Sequence, residues 1–230
     1  MVVATAKRST KRARSAEARA ERRDEILDVA EGLFAEHRFA ELHMARLAKK
    51  IGLAKGTLYL YFPSKESLFL AVVQRSLDAW FTAVGERLSC HAFIDPDALA
   101  RELTETLVER PRLTRLLALL HPVLERNIGE EDAFAFKVFL AKKMGRAGIE
   151  FERLIPALEP GQGVRLLLHM HALVVGLRQA SDPSPAVERA LERPELRDLR
   201  MDFQVELCAA LSALFRGFGA ALQAQGETRQ

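Results

Sequence analysis

Residues 47–70 read LAKKIGLAKGTLYLYFPSKESLFL, and this stretch decides the fold. Leu47, Ala48 and Ile51 fall on one side of a short helix that ends at Gly52. Glycine suits the left-handed turn that closes a helix. A second short helix follows from about Ala54 to Tyr61, where Pro63 stops it. Two short helices joined at a glycine make a helix-turn-helix, whose second helix lies in the major groove of DNA. Leu47, Ala48, Ile51, Leu53, Leu58 and Phe62 can form a small core beneath the pair. Lys55, Thr57, Tyr59 and Tyr61 are then left to face outward. Lysine offers donors for phosphates and guanine edges, and the hydroxyls bond phosphate oxygens whatever the base. Gly56 has no side chain, so the backbone there can approach DNA closely. Ser64 can cap the next helix, and Lys65 follows it at a helix N-terminus that already favours an anion.

Upstream, Ile26, Val29, Ala30, Leu33 and Phe34 recur at helical spacing from a helix starting near Ala18, with a break around His37–Glu41. Residues 1–16 are rich in Lys, Arg, Ala, Ser and Thr and read as a disordered basic arm. Charge is uneven along the chain. Residues 1–65 carry 14 Lys/Arg against 8 Asp/Glu, and the remainder 20 against 23, within a net charge of +3. Only the front of the chain is therefore expected to meet a polyanion.

GLAKGTLYLYFPSKESLFLAV closely resembles the signature of the TetR/AcrR family of bacterial transcriptional regulators, over about residues 20–72. The Gly-Thr-Leu-Tyr run, the Tyr-Phe pair and Ser-Lys-Glu stand at the family's spacing. The resemblance implies that Lys55–Tyr61 is the recognition helix, with Lys55 and Tyr59 at base edges and Thr57, Tyr61 and Lys65 on phosphates. His43, at the start of the first short helix, would be a further phosphate contact. Three positions depart from the family pattern: Leu42–His43 where Thr or Ser is frequent, Ala54 in place of a capping Ser, and Arg38 in place of a Gly. Lys7, Arg8, Lys11, Arg12, Arg14 and Arg19 of the arm could track the DNA backbone or enter a minor groove, or could be a free tail that raises the association rate.

Beyond residue 65 strand signals are absent, and helices are expected over 96–109, 111–126, 130–154, 161–180, 185–192 and 198–222, with prolines near their ends. Pro122 is the exception: it kinks a helix or starts a new one. The expected fold is all-α. A disordered arm (1–17) precedes a three-helix DNA-binding domain (18–65) and a larger helical effector-binding and dimerisation domain (66–230). The segments 163–180 and 199–222 are apolar on more than one face. Leu166, Met170, Leu173 and Leu177, with Leu207, Leu211, Leu214 and Phe218, are the expected homodimer contacts.

For a ligand cavity the candidates are Trp80, Phe136, and the polar His121, Asn127, Lys137, His169 and Arg178. The stretch DAFAFKVFL at 132–140 hints at an apolar or aromatic small-molecule effector. His169 and His171 point about 200° apart on a helix and cannot share a metal ion. No HExxH, GxSxG or Walker pattern occurs, so neither enzymatic chemistry, metal nor cofactor is expected. The two cysteines, Cys90 and Cys208, read as reduced thiols in helical cores. With no apolar run long enough to span a bilayer and no secretory leader, the chain is expected in the cytoplasm, away from membranes. The function read from these residues is that of a ligand-responsive repressor on a palindromic double-stranded operator. The alternative is a DNA-binding regulator of the same fold without a small-molecule switch.

Overall fold

The computed structural model describes the backbone over residues 3–227 and the side chains over residues 16–218. Ten α-helices occur among the described residues, with no strand: α1 (Val3–Glu36), α2 (Met44–Ile51), α3 (Lys55–Tyr61), α4 (Lys65–Leu88), α5 (Pro96–Val108), α6 (Pro111–Leu119), α7 (Glu130–Leu154), α8 (Gln162–Ala180), α9 (Pro185–Leu191) and α10 (Phe203–Glu227). No described helix is long and apolar enough to cross a membrane. The chain divides into two compact units, one ending at Val72 and the other beginning at Val73, so the division falls within α4.

Helix α1 starts well ahead of Ala18. The arm expected to be disordered over 1–17 is helical from Val3. Ala, Arg, Lys and Glu dominate that stretch and are strong helix formers. The side chains of residues 1–15, which include Lys7, Arg8, Lys11, Arg12 and Arg14, lie outside the described residues.

In the first unit, Ile26, Leu27, Ala30, Leu33 and Phe34 of α1 are buried, as are Leu42, Leu47, Ala48, Leu58 and Phe62. Phe69 of α4 locks this core. Its ring centroid lies 5.7 Å from that of Phe34 and 5.2 Å, edge to face, from that of Phe39. Each such buried side chain contributes about 1.5–3 kcal/mol of transfer free energy. Ile51 and Leu53, expected in this core, are only half-buried.

In the second unit α8 is the central element, packed against α6, α7 and α10, while α5 packs on α10. Leu166, Met170 and Val174 of α8 share the core with Leu207, Leu211 and Phe215 of α10 and Leu99, Leu103 and Leu107 of α5. Asp95 starts α5 by accepting from the amides of Asp97 (3.0 Å) and Ala98 (3.2 Å), with Pro96 at the first helical position. Helices α7 and α8 approach backbone to backbone. A Cβ built on Gly163 would lie 2.1 Å from the carbonyl oxygen of Gly148. Glu152 Oε1 fixes the same end of α8 by accepting from the amides of Gly161 (2.8 Å) and Gly163 (2.9 Å).

Four of the residues expected at a dimer interface, Leu166, Met170, Leu207 and Leu211, are buried within the protomer instead. They form the stripe each helix turns toward its own core. Leu173, Leu177, Leu214 and Phe218 are half-buried. The two cysteines also differ from expectation. Cys90 is exposed in the turn after α4 and Cys208 is half-buried.

Candidate nucleic-acid interface and effector cavity

The helix-turn-helix is built by α2 and α3. Gly52 closes α2 in the left-handed region, at φ 75°, where a side chain would be strained. The Gly52 amide donates to the carbonyls of Ala48 and Lys49. Helix α3 opens at Ala54 without a side-chain cap. It is held instead by Leu58, which is fully buried. At 100° per residue, Gly56 and Leu60 stand opposite Leu58, Tyr59 lies about 100° round from it, and Lys55 about 60° round at the helix start. Lys55 and Gly56 are exposed, Tyr59 is 41% exposed and Leu60 is 75% exposed. The Lys55 ammonium stands 5.8 Å from the Tyr59 ring centroid, one turn on. Lys49 and Lys50, at the end of α2, are exposed as well.

His43 is the exposed residue preceding α2, and its side chain makes no capping bond. Thr57 and Tyr61 are half-buried, and the Arg19 guanidinium stands 5.8 Å from the Tyr61 ring centroid. Ser64 caps α4, its Oγ accepting from the Ser67 amide at 2.9 Å. Lys65 has a structural contact the sequence did not suggest. Its Nζ donates to the Phe39 carbonyl at 2.9 Å and lies 4.1 Å from the Phe39 ring centroid. That leaves it two further N–H groups for an anion. Sequence reasoning passed over Leu60, although Gly56 and Leu60 are one turn apart and both stand away from Leu58.

The second unit contains a cavity of about 130 Å³. Leu77 and Trp80 of α4, Leu107 of α5, Leu117 of α6 and Met144 of α7 contribute apolar walls, and Leu167, Met170 and Val174 of α8 complete them. The Trp80 indole N–H is already used, donating to Thr106 Oγ1 at 3.0 Å, so its ring offers the cavity an apolar face. His121, Lys137 and His171 supply the polar edge.

Those three residues belong to one hydrogen-bonded chain. Lys137 Nζ donates to Glu125 Oε1 at 2.6 Å, and Glu125 Oε2 lies 3.0 Å from His121 Nδ1. His121 Nε2 lies 3.2 Å from His171 Nε2. Pro122 explains how His121 reaches this position. Proline has no N–H to continue the α6 ladder, and Leu120–Leu124 widens into a turn of π-helix, with the Glu125 amide donating to the Leu120 carbonyl. Desolvation disfavours ionisation of Glu125, but the hydrogen bonds from Lys137 and His121 outweigh it and hold its carboxyl below the usual range. Burial, and then the neighbouring His121, push His171 down to about 4, so His171 is uncharged at neutral pH.

Of the residues expected at a cavity, Trp80, His121 and Lys137 line it. The other four lie elsewhere. Phe136 is buried and stacks on Phe139 at 6.2 Å. Asn127 is exposed and donates to the Val123 carbonyl. His169 is exposed and packs edge to face on Phe218 at 5.4 Å. The Arg178 guanidinium stands 5.2 Å from the Phe203 ring centroid. The 132–140 stretch gives the cavity Lys137 and Leu140 rather than its phenylalanines, and Phe134 is 71% exposed. No cluster of three or more His, Cys, Asp or Glu fit to hold a metal ion occurs among the described residues.

Comparison with known proteins finds a family match for each of the two units. Residues 26–72 match the family model of "Bacterial regulatory proteins, tetR family", and residues 74–221 match "Tetracyclin repressor-like, C-terminal domain". An HTH-type transcriptional regulator of Staphylococcus aureus (strain USA300) is 40% identical over 62 residues, 27% of this chain and 34% of that protein. The chain thus matches about a third of the length of the curated relatives it resembles. Among solved structures, a TetR-family regulator from Mesorhizobium loti MAFF303099 aligns with a TM-score of 0.56 at 20% identity, covering 88% of this chain and 96% of that one. The fatty acid degradation regulator FadR of Bacillus halodurans aligns with a TM-score of 0.55 at 16% identity, covering 84% and 94%. At these identities the likeness is one of fold.

Proposed function

This chain belongs to the TetR family of bacterial DNA-binding transcriptional regulators, and on that premise we propose that it is a repressor released from a palindromic operator by a small molecule. TetR-family members are regulators rather than enzymes, and they bind DNA as dimers. The observation that carries the DNA reading is the outer face of α3. Lys55, Gly56, Tyr59 and Leu60 stand exposed on a helix anchored through buried Leu58. Lys55 supplies donors for a guanine edge or a phosphate, and Gly56 admits the DNA backbone. The Tyr59 hydroxyl can donate or accept at a base edge. Leu60 can pack on a thymine methyl, the one apolar mark on a major-groove edge.

A single helix reads half a site, and a two-fold dimer places two such helices in successive major grooves about 34 Å apart. The outward stripes of α8 and α10 support that assembly. Ala172 and Gly176 on α8, and Ala209, Ala213 and Gly217 on α10, are exposed and small. A Cβ on Gly176 or Gly217 would meet nothing within 4 Å, so a second copy can approach closely there. The cavity favours a ligand switch over the switch-free alternative, because a regulator without an effector has no need of an open space beside a polar chain. The effector releases DNA only if it binds the operator-competent and released states unequally.

Alanine at Lys55 and at Tyr59 tests the reading. Each variant is expected to lose about fivefold or more in affinity for an operator duplex, about 1–3 kcal/mol per base contact. Helical content and dimerisation should be unchanged. Fluorescence anisotropy with matched circular dichroism checks this, and normal operator binding by either variant removes that residue from the reading face.

A further inference from the structure

Resting on the effector reading above, we infer that the cavity of the second unit takes a single-ring phenol, with its hydroxyl donated to His171 Nδ1. With a single ring hydrogen on His121, geometry fixes the polarity of the chain that ends at His171. Glu125 is held ionised and is therefore an acceptor only. His121 Nδ1, 3.0 Å away, must donate to it. In an uncharged imidazole the other nitrogen is then a bare acceptor. That nitrogen, His121 Nε2, faces His171 Nε2 at 3.2 Å. Two bare nitrogens at that distance repel, so His171 Nε2 carries the hydrogen. His171 Nδ1 is left as a lone-pair acceptor, and it has no hydrogen-bond partner among the described residues. Lys137 anchors the far end of the chain on Glu125, so its charge is already balanced there and a carboxylate ligand would add an unbalanced negative charge beside Glu125.

The ligand's matching head is a neutral hydrogen-bond donor. The rest of the cavity sets its body. Trp80, Leu107, Leu117, Met144 and Val174 present hydrocarbon, sulfur and an aromatic ring. Apolar protein cavities of about 150 Å³ take up benzene, so the 130 Å³ here holds one ring. A phenol joins the two requirements. Its hydroxyl, with an ordinary pKa of about 10, is intact at pH 8, where imidazoles are neutral. Benzoates fail on charge, and alkylbenzenes leave His171 Nδ1 unpaired.

p-Cresol and 4-methylanisole differ by one methyl group that removes the donor, and calorimetric titration of the full chain at pH 8 compares them. p-Cresol is expected to bind at least tenfold more tightly. In H171L the two should bind within about twofold of each other. Nitrogen-15 spectra of the unsubstituted protein give a second readout that does not depend on the variant folding. His171 Nδ1 should show the unprotonated signature and shift when p-cresol is added, but not with 4-methylanisole. Equal affinities, an unmoved His171 Nδ1, or no p-cresol binding overturns the inference. The same samples, assayed on operator DNA, separate it from the reading it rests on. A p-cresol preference without DNA release upholds the ligand class and counts against the effector role. Intact DNA binding with no p-cresol binding defeats the ligand class alone.

Discussion

An Ala213→Arg variant is expected to be monomeric and to lose roughly 10²–10⁴-fold in operator affinity. Ala213 lies in the middle of the exposed small-residue stripe of α10, one turn from Ala209 and one from Gly217. Helices meet closely at such stripes because no side chain holds the backbones apart. In a close helix–helix seam an arginine would have no room, and burying it unpaired costs several kcal/mol. The protomer itself should be indifferent, since Ala213 is exposed within it. The loss on DNA follows from linkage. In a dimer the second recognition helix binds at the high effective concentration set by the first; in a monomer that advantage disappears. Sedimentation velocity and anisotropy at one protein concentration check both parts. A variant that stays dimeric places the interface elsewhere.

Gly163→Ala should lower stability by about 3 kcal/mol or more, the upper end for overpacking. A Cβ at Gly163 would fall 2.1 Å from the carbonyl oxygen of Gly148, 2.6 Å from its carbonyl carbon and 2.7 Å from its Cα. All three are backbone atoms, so α7 and α8 must separate, and both helices wall the cavity. Gly85→Ala makes the control. Gly85 lies within α4, and a Cβ there meets nothing within 4 Å. That substitution should stabilise by up to about 1 kcal/mol through helix propensity. Urea unfolding followed by circular dichroism at fixed protein concentration should therefore give opposite signs for the same chemical change. A Gly163→Ala protein as stable as the parent would mean that the two helices are not in backbone contact.

The helix-turn-helix was legible because its determinants are local. Gly52 needs its left-handed turn, Pro63 ends α3, and Leu58 and Phe62 are spaced to bury together. Leu60 escaped notice because an exposed leucine has meaning only once its neighbours are placed. The residues of α8 and α10 were read as apolar on several faces, but periodicity does not say which face belongs to the protomer. Leu207 and Leu211 face inward, and Ala209, Ala213 and Gly217 outward. Before Ala18 the charge pattern points to a solvated arm, whereas the helix propensity of its Ala, Arg and Lys residues favours the helix observed. The cavity's polar edge was the least legible part. His121 and His171 lie fifty positions apart, and Pro122, read as a kink or a helix start, produces the π-turn that brings them together. His169, two positions from His171, faces Phe218 instead.

As a two-fold dimer, this chain should read DNA through both copies of α3. Selection from a random-sequence duplex pool at about 0.15 M salt, a physiological ionic strength, tests it most directly. The predicted result is an inverted repeat whose half-sites are centred about 10 base pairs, or a multiple of that, apart. Enrichment should collapse when the Tyr59→Ala protein is used. A folded dimer that enriches no sequence, or one that enriches a motif without two-fold symmetry, would contradict the claim.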